Sequence, residues 1–412
     1  MSEPVRVVIC DDESERRDDW KEGLESLLGT AIEVDRLANL ESPWRELLDR
    51  RAAARRKRES AATPVEFDEL PREDPGNWDG PFDRADVLIV DYDLFGYEPE
   101  SYLTGAIVAY VARCYSRCKV ILGVNQYGRN PFDLTLRSDL TSFNDQSVGE
   151  AQIFNLGLWR GDPTAGFRPW SWIPVLDVVG SFDRRVATAL ENPTAGVLTT
   201  CGLEPVREHM PRSVLGMLER FGPEGEVTSL VDLARGQRLG YRANDEAASQ
   251  ESVARVAGAR LAQWVESAVL PLQDVLIDVP HLVQRNPALL DEAPSPEALA
   301  RTVDGGRGIA ELGLADAVVE HVAATGDWLS RPALLWPSVH RDRELPGARN
   351  PREIPRLDEV FCEDLSRFVA SQSARRFMSA LDSTMPARWA ADPASLPEVE
   401  GVEYRPLSRL AL

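Results

Sequence analysis

Two continuous apolar runs, VLIV at 87–90 and VILGV at 120–124, restrict the fold of this chain more than any other feature. Runs without polar alternation are typical of parallel strands that are buried on both faces. They belong to a series in which short strand patterns alternate with segments of helical periodicity, and this alternation predicts an α/β fold with a parallel sheet. Strands are predicted at 5–10, 32–37, 86–91 and 119–124, and helices at 14–28, 41–58, 104–117 and 173–190.

Length and composition indicate a soluble protein of more than one domain. A chain of 412 residues is too long for one ordinary core, and its shares of hydrophobic (43%) and charged (27%) residues are those of globular proteins. The N-terminus lacks the basic and apolar regions of a signal peptide, and no apolar run is long enough to span a bilayer. We therefore expect a cytoplasmic protein with no membrane partner.

The charge balance argues against a nucleic-acid partner. The sequence has 46 basic and 67 acidic residues, which gives a formal charge of −21. Nucleic-acid binders usually carry a basic face, because contacts with phosphates dominate their affinity. Basic residues are concentrated only at 50–58, where they are interpreted as the solvated end of one helix or, alternatively, as a docking patch for a protein partner.

Acidic residues follow two of the predicted strands. Asp11 and Asp12 come directly after the first strand, whereas Asp91 ends the third and Asp93 follows two positions later. Carboxyl ends of parallel strands meet at one edge of a sheet, so the first three carboxylates are predicted to lie together. A cation must neutralise such a cluster, and hard oxygen ligands suit Mg²⁺. Beside a cation, Asp91 could act as a nucleophile and form an aspartyl phosphate. The alternative is that Asp11 caps a helix and Asp91 belongs to a turn.

Three motifs resemble the receiver domain of two-component response regulators: CDDES at 10–14, LIVDYDLFG at 88–96 and TGAIVAYVAR at 104–113. The resemblance covers about residues 4–190 and implies a flavodoxin-like (βα)5 fold. It implies that Asp11, Asp12, Asp91 and the backbone carbonyl of Asp93 bind Mg²⁺ and that Asp91 is the phosphoacceptor. It also implies a histidine kinase or a phosphotransfer protein as the phosphoryl donor.

The chain departs from the receiver pattern at two positions. Receivers carry Ser or Thr at the end of the fourth strand, where this sequence offers Val124 or Asn125, of which Asn125 is the candidate substitute. They also carry a lysine before proline after the fifth strand, but no lysine follows Lys119. In the segment GFRPW, Arg168 is the candidate to replace that lysine, although a guanidinium differs from an ammonium in shape and reach. Insertions relative to the family are predicted at about 50–84 and 126–165.

Two alternatives to a phosphorylated receiver remain open. A pseudo-receiver would keep the acids without the reaction and act as a protein-interaction scaffold. A haloacid-dehalogenase-type phosphatase would use Asp91 as nucleophile and Asp93 as acid/base in the motif D-x-D. That family normally carries the motif on its first strand, whereas here it follows the third predicted strand.

Residues 191–412 are predicted to form a mainly helical output or interaction domain of unknown type. Asp274, Asp278 and His281 are interpreted as capping or solvated residues, with a metal site as the alternative. This half is expected to bind a protein partner, with a homodimer as a further option, and the whole chain to be a signalling protein of a phosphorelay or anti-phage defence system. Helices are predicted at 251–270, 311–324 and 358–383.

Overall fold

The computed structural model of the protein forms two compact units. The first unit contains Met1–Phe154, Val175–Val197 and Leu218–Gln263, and the second contains Asn155–Pro174, Leu198–Met217 and Trp264–Leu412. This division does not coincide with the single boundary predicted at 190/191. The structure describes residues 3–37, 39–59, 66–76, 78–94, 103–125, 143–161, 168–219, 229–235, 248–273, 275–290, 295–344, 358–379, 388–391 and 409–411.

Helices follow most of the strands in the first 191 residues. After residue 191 the described elements are mainly short helices up to Asp342 and strands from Glu359 onward. The strands are β1 (Val5–Cys10), β2 (Ile32–Arg36), β3 (Val87–Asp91), β4 (Val120–Asn125), β5 (Gln146–Gly149), β6 (Leu276–Asp278), β7 (Ala333–Leu335), β8 (Glu359–Cys362), β9 (Arg367–Ala370), β10 (Ala374–Ser379), β11 (Arg388–Ala391) and β12 (Arg409–Ala411). The helices are α1 (Ser14–Leu28), α2 (Glu41–Glu59), α3 (Pro81–Arg84), α4 (Gly105–Tyr115), α5 (Leu156–Trp159), α6 (Val175–Glu191), α7 (Val197–Thr200), α8 (Arg212–Glu219), α9 (Leu230–Arg235), α10 (Gln250–Trp264), α11 (Leu270–Leu272), α12 (Val279–Arg285), α13 (Pro296–Val303), α14 (Gly305–Glu311), α15 (Asp316–Thr325) and α16 (Trp336–Asp342).

The first unit is built on a five-stranded sheet in the order β2-β1-β3-β4-β5. All four strand pairs are parallel, and β3 and β4 are buried along their whole length. These two strands contain the apolar runs, so the predicted parallel sheet of an α/β fold is confirmed. The strand order is the one found in flavodoxin-like sheets, which place ligands at the carboxyl edge.

Helix α1 packs on this sheet through one apolar face. Trp20, Leu24 and Leu28 are buried and recur at helical spacing, which explains why the helix forms here. It ends at Gly29, whose φ of 56° lies in the left-handed region that favours glycine. At its other end, α1 begins at Ser14, four positions after Cys10 ends β1. Its first turn therefore lies near the predicted acidic edge.

The segment 126–165, predicted to be an insertion, contributes a strand to the sheet. Strand β5 lies within it and pairs in parallel with β4, with Leu122 opposite Gln146. The strand QSVG has four residues and little apolar character, so its sequence gives no strand signal of its own, and pairing with β4 fixes it. Residues 126–142 lie outside the described part of the chain. The other predicted insertion, 50–84, contains the end of α2, one 3₁₀ turn at Phe67–Glu69 and the short helix α3.

The expected long helix at 358–383 is wrong. Strands β8, β9 and β10 occupy this segment and belong to a sheet of order β12-β10-β11-β8-β9. A tight turn with Ser366 at φ 45° joins β8 to β9, and β11, which is distant in sequence, pairs with both β8 and β10. Short apolar runs such as VFC fit either a helix or a strand, so distant pairing partners decide between them.

The second unit combines this sheet with short helices and a two-stranded ladder of β6 and β7. Its expected mainly helical character is therefore not confirmed. One apolar core includes the fully buried side chains of Leu282, Val283 and Leu334. Within the described ranges, no helix combines the length and apolar character needed to cross a bilayer.

Candidate functional site

The structure brings three predicted carboxylates together at the carboxyl edge of the first sheet. Cys10 of β1 stands opposite Val90 of β3, so the next residues, Asp11 and Asp91, lie side by side. Ligand oxygens of Asp11, Asp12 and Asp91 all lie within 4.8 Å of one another. Asp11 and Asp91 are fully buried, whereas Asp12 is half-buried. We call these three residues the acid cluster.

Arg16 supplies the positive charge of the acid cluster. Its Nη1 atom lies 3.1 Å from Oδ2 of Asp11 and 3.3 Å from Oδ2 of Asp91. Its Nη2 atom lies 2.6 Å from Oε1 of Glu13. Arg16 was not among the predicted site residues, because only the position of the first turn of α1 over the strand ends brings it to Asp91. One available signal was an arginine five positions after Asp11 on a helix that starts at the acidic edge.

Asp91 carries one carboxylate oxygen that has no hydrogen-bond partner in the described structure. Oδ2 accepts from Arg16, whereas Oδ1 is buried and unsatisfied. Burial, together with the negative charge of Asp11, raises the pKa of Asp91 to about 8, although the nearby guanidinium opposes this shift. A buried acceptor of this kind is costly unless a proton or a cation satisfies it.

Both carboxylate oxygens of Asp11 have hydrogen-bond partners, in contrast to those of Asp91. The backbone N–H of Glu13 donates to its Oδ1 at 2.7 Å, and the guanidinium of Arg16 binds its Oδ2. Burial nevertheless raises the pKa of Asp11 above the ordinary value, because these contacts do not fully replace lost hydration. The buried guanidinium of Arg17 also binds the backbone carbonyl of Asp11 and fixes the end of β1.

Helix α4 begins in direct contact with the end of β3. The backbone N–H of Gly105 donates to the carbonyl of Tyr92 at 2.9 Å. A Cβ atom at position 105 would lie 2.3 Å from the carbonyl oxygen of Asp91, so only glycine fits this approach without movement. Asp93, the predicted backbone metal ligand, forms a β-bridge with Thr104 next to this contact. Its role in binding a cation stays a prediction.

The neighbouring strand ends carry Asn125 and Glu150. Asn125 is the buried last residue of β4, one step beyond Val124, which stands opposite Asp91. Its role as a substitute for Ser or Thr stays a prediction. After β5, where the resemblance implies a lysine, Glu150 accepts a hydrogen bond from Trp20 Nε1 at 3.0 Å and lies 3.9 Å from Arg16 Nε. This strand end therefore adds an acid to the edge instead of a base.

Arg168, the predicted replacement for the receiver lysine, belongs to the second unit. Its guanidinium donates a hydrogen bond to the carbonyl of Gly161. Its predicted role at the phosphoryl group stays a prediction, and the guanidinium that contacts Asp91 is that of Arg16.

The second unit contains a separate buried charge network. His281 Nδ1 lies 2.5 Å from Oδ1 of Asp278, and its Nε2 lies 3.0 Å from Oε1 of Glu363. Asp278 also accepts from Trp170 Nε1 at 2.6 Å, and Arg388 Nε donates to Glu363. Both imidazole nitrogens lie against carboxylates, and this arrangement favours the protonated ring, in which each nitrogen can donate a hydrogen bond. The network is best explained as a structural connection between β6, α12, β8 and β11.

The network corrects the interpretation of Asp278 and His281 as capping or solvated residues. Asp278 is 3% exposed, and it stands at the N-cap of α12 without a side-chain capping bond. The cause is tertiary, because Glu363 and Trp170 come from distant segments of the sequence. Asp274 lies outside the described residues.

The network makes stability of the second unit depend on pH. Burial alone would lower the pKa of His281, but the charge of Asp278 and hydrogen bonds to Asp278 and Glu363 raise it above 6.5. A raised native pKa means that the stabilisation is complete below pH 6.5 and is lost as the pH rises through the native pKa. We expect the difference in unfolding free energy between the native protein and His281→Gln to be largest near pH 6 and to decrease above it.

Urea unfolding of both proteins from pH 5.5 to 9 tests this prediction. The lower limit stays above the ordinary Asp pKa of 3.8, so Asp278, whose pKa is lowered, remains ionised throughout. A difference that stays constant across this range would mean that folding does not shift the pKa of His281, and a difference that rises from pH 5.5 to 6.5 would mean that His281 is neutral in the native protein.

The chain matches no protein-family model. Comparisons with curated proteins and with solved structures likewise give no significant match. Function is therefore inferred from the acid cluster and from the sequence motifs around it.

Mg²⁺, the cation that the receiver resemblance implies, fits the residues present. Three carboxylates converge within the reach of one ion, and they are the hard oxygen ligands that Mg²⁺ requires. The buried Oδ1 of Asp91 has no hydrogen-bond partner in the part of the chain that the structure describes, so it is open to a proton or to a cation. Among the described residues, this is the one group of three or more His, Cys, Asp or Glu side chains with ligand atoms this close.

Proposed function

We propose that this protein is a signalling protein whose first unit accepts a phosphoryl group on Asp91 with the help of Mg²⁺. The observation that carries the proposal is the buried, unsatisfied Oδ1 of Asp91 beside two further carboxylates. These residues lie at the carboxyl edge of a sheet of order 2-1-3-4-5, where ligands of such sheets bind. The receiver-like motifs support the same reading.

In the proposed reaction, a carboxylate oxygen of Asp91 attacks the phosphorus of the donor. A bond from oxygen to phosphorus forms, the bond between phosphorus and the leaving group breaks, and its electron pair leaves with that group. Asp11, Asp12, Asp91 and the carbonyl of Asp93 would hold Mg²⁺, which would supply positive charge to the ionised carboxylates and the phosphoryl oxygens. A histidine kinase or a phosphotransfer protein would be the donor.

Phosphorylation would act by shifting an equilibrium between two conformations of the chain. A phosphoryl group adds negative charge to an edge already rich in acids, so the conformation that best neutralises it becomes more populated. The remainder of the chain would report this change to a protein partner, with a homodimer as a further arrangement. The formal charge of −21 favours a protein output over nucleic acid.

Mass measurement after phosphoryl transfer tests the proposal. Incubation of the full chain with acetyl phosphate and Mg²⁺ is expected to add one phosphoryl group to the native protein and none to Asp91→Asn. Omission of Mg²⁺ should abolish the gain. No gain in mass with the native protein would contradict the proposal and favour a pseudo-receiver, the alternative supported by Glu150 in place of the receiver lysine.

Asp93→Asn is the matched control. Because only the carbonyl of Asp93 has a role in the proposal, this variant should be labelled like the native protein. In a haloacid-dehalogenase-type phosphatase, Asp93 would be the acid/base, and its loss would trap the phosphorylated enzyme or stop turnover. Hydrolysis of a phosphate monoester that depends on Asp93 would favour that alternative.

A further inference from the structure

Arg16 already contacts two of the three carboxylates that a cation would bind. Its Nη1 atom contacts Oδ2 of both Asp11 and Asp91, and its side chain is only 12% exposed. A guanidinium stays protonated in proteins, so this positive charge is permanent. A divalent cation bound to the same carboxylates would be repelled at close range while the guanidinium remained in place.

We propose that Arg16 is a built-in competitor of the divalent cation, which must displace the guanidinium from Asp11 and Asp91 to bind. The inference rests on the proposed function, because it concerns the cation of that same site. In the absence of metal, Arg16 offsets part of the negative charge of the two buried carboxylates. The free energy of Mg²⁺ binding is therefore the interaction of Mg²⁺ with these oxygens minus the interaction of the guanidinium that it replaces.

The surroundings of Arg16 provide alternative partners for a displaced guanidinium. Its Nη2 atom contacts Glu13, whose side chain is 61% exposed, and its Nε lies 3.9 Å from Glu150, which is 41% exposed. Both acids are on the solvent side of the buried cluster. Trp20 holds Glu150 by a hydrogen bond, so this partner stays in position. An outward movement of Arg16 thus replaces its inner ion pairs instead of leaving a buried charge without a partner.

Asp91 offers the incoming cation a first point of contact. Its Oδ2 is engaged by Arg16, whereas its buried Oδ1 has no hydrogen-bond partner in the described structure. A cation can therefore approach Asp91 through Oδ1, and its binding is completed when the guanidinium leaves Oδ2 of Asp11 and Asp91. This arrangement makes occupancy of the site depend on the concentration of a hard divalent cation, since that cation must compete with a guanidinium already bound to two of the carboxylates.

Binding of Mg²⁺ to full-length variants tests this inference. Isothermal titration calorimetry is expected to show Mg²⁺ binding to Arg16→Gln about 10- to 100-fold more tightly than to the native protein. Arg16→Lys, which keeps the charge, should bind within a few-fold of the native affinity. Arg45→Gln removes an exposed arginine that pairs with Glu41 on α2 and should leave Mg²⁺ binding unchanged.

Thermal unfolding supplies a second readout. Without Mg²⁺, Arg16→Gln should melt at a lower temperature than the native protein, because its buried carboxylates have lost their counter-charge. At saturating Mg²⁺, the two proteins should melt at the same temperature. Equal or weaker Mg²⁺ binding by Arg16→Gln would overturn the inference, since the guanidinium would then orient the carboxylates instead of competing. Absence of Mg²⁺ binding in every variant would overturn it as well.

Phosphoryl labelling of the same proteins separates the two proposals. Tighter Mg²⁺ binding by Arg16→Gln without any label on Asp91 would support the competition and contradict the proposed function. A label on Asp91 with equal Mg²⁺ affinities would support the function and contradict the competition.

Discussion

Replacing Glu363 with glutamine is expected to lower the unfolding free energy of the second unit by about 3 to 5 kcal/mol. Glu363 is fully buried, and its carboxylate binds both His281 and Arg388. Glutamine has the same shape but no charge, so the variant would leave two buried cations with one fewer counter-charge. Arg388 is 3% exposed and its guanidinium lies over the ring of Trp170, so water cannot readily replace the lost interaction with the carboxylate.

Urea unfolding followed by tryptophan fluorescence measures this loss, because Trp170 belongs to the same network. Asp358→Asn is the control, since this exposed acid directly precedes β8 and its neutralisation should change stability by less than about 0.5 kcal/mol. Equal stability of the two variants would mean that the network contributes no net stabilisation through its charges. The pH series for His281→Gln would then show a constant difference as well.

Replacing Gly105 with alanine is expected to lower the unfolding free energy by about 1 to 3 kcal/mol. The added Cβ would lie 2.3 Å from the carbonyl oxygen of Asp91, 3.0 Å from its carbonyl carbon and 3.1 Å from Cα of Tyr92. These are backbone atoms of the strand end, so they cannot move aside as a flexible side chain could. Either α4 or the end of β3 must shift. A shift of β3 would move Asp91 within the acid cluster.

Gly180→Ala provides a matched control within another helix of the first unit. A Cβ at position 180 meets no atom within 4 Å, and the residue lies in the middle of α6. Alanine should stabilise that helix by about 0.5 to 1 kcal/mol, because it has a higher helix propensity than glycine. If this explanation holds, thermal unfolding will show a lower melting temperature for Gly105→Ala and a higher one for Gly180→Ala than for the native protein. A neutral Gly105→Ala with native labelling of Asp91 would show that the contact is not tight in solution.

Residues 5–125 illustrate how far local sequence patterns determine this protein. The parallel strands β1, β3 and β4 are buried on both faces, so their apolar runs identify them without knowledge of their partners. The helical spacing of Trp20, Leu24 and Leu28 likewise identifies α1. Because Asp11 and Asp91 directly follow such strands, their meeting at one edge was predictable from strand polarity alone.

Elements that depend on distant partners were not predictable in this way. Strand β5 is short and polar, and β8 to β10 have the apolar pattern of a helix, so pairing with neighbouring strands decides both. The same holds for Arg16 at Asp91 and for His281 between Asp278 and Glu363. A sequence records which charges a chain carries, but their energies depend on burial and on distance. The sequence by itself determined the parallel sheet and its acidic edge, whereas only the tertiary structure decided which cation neutralises that edge.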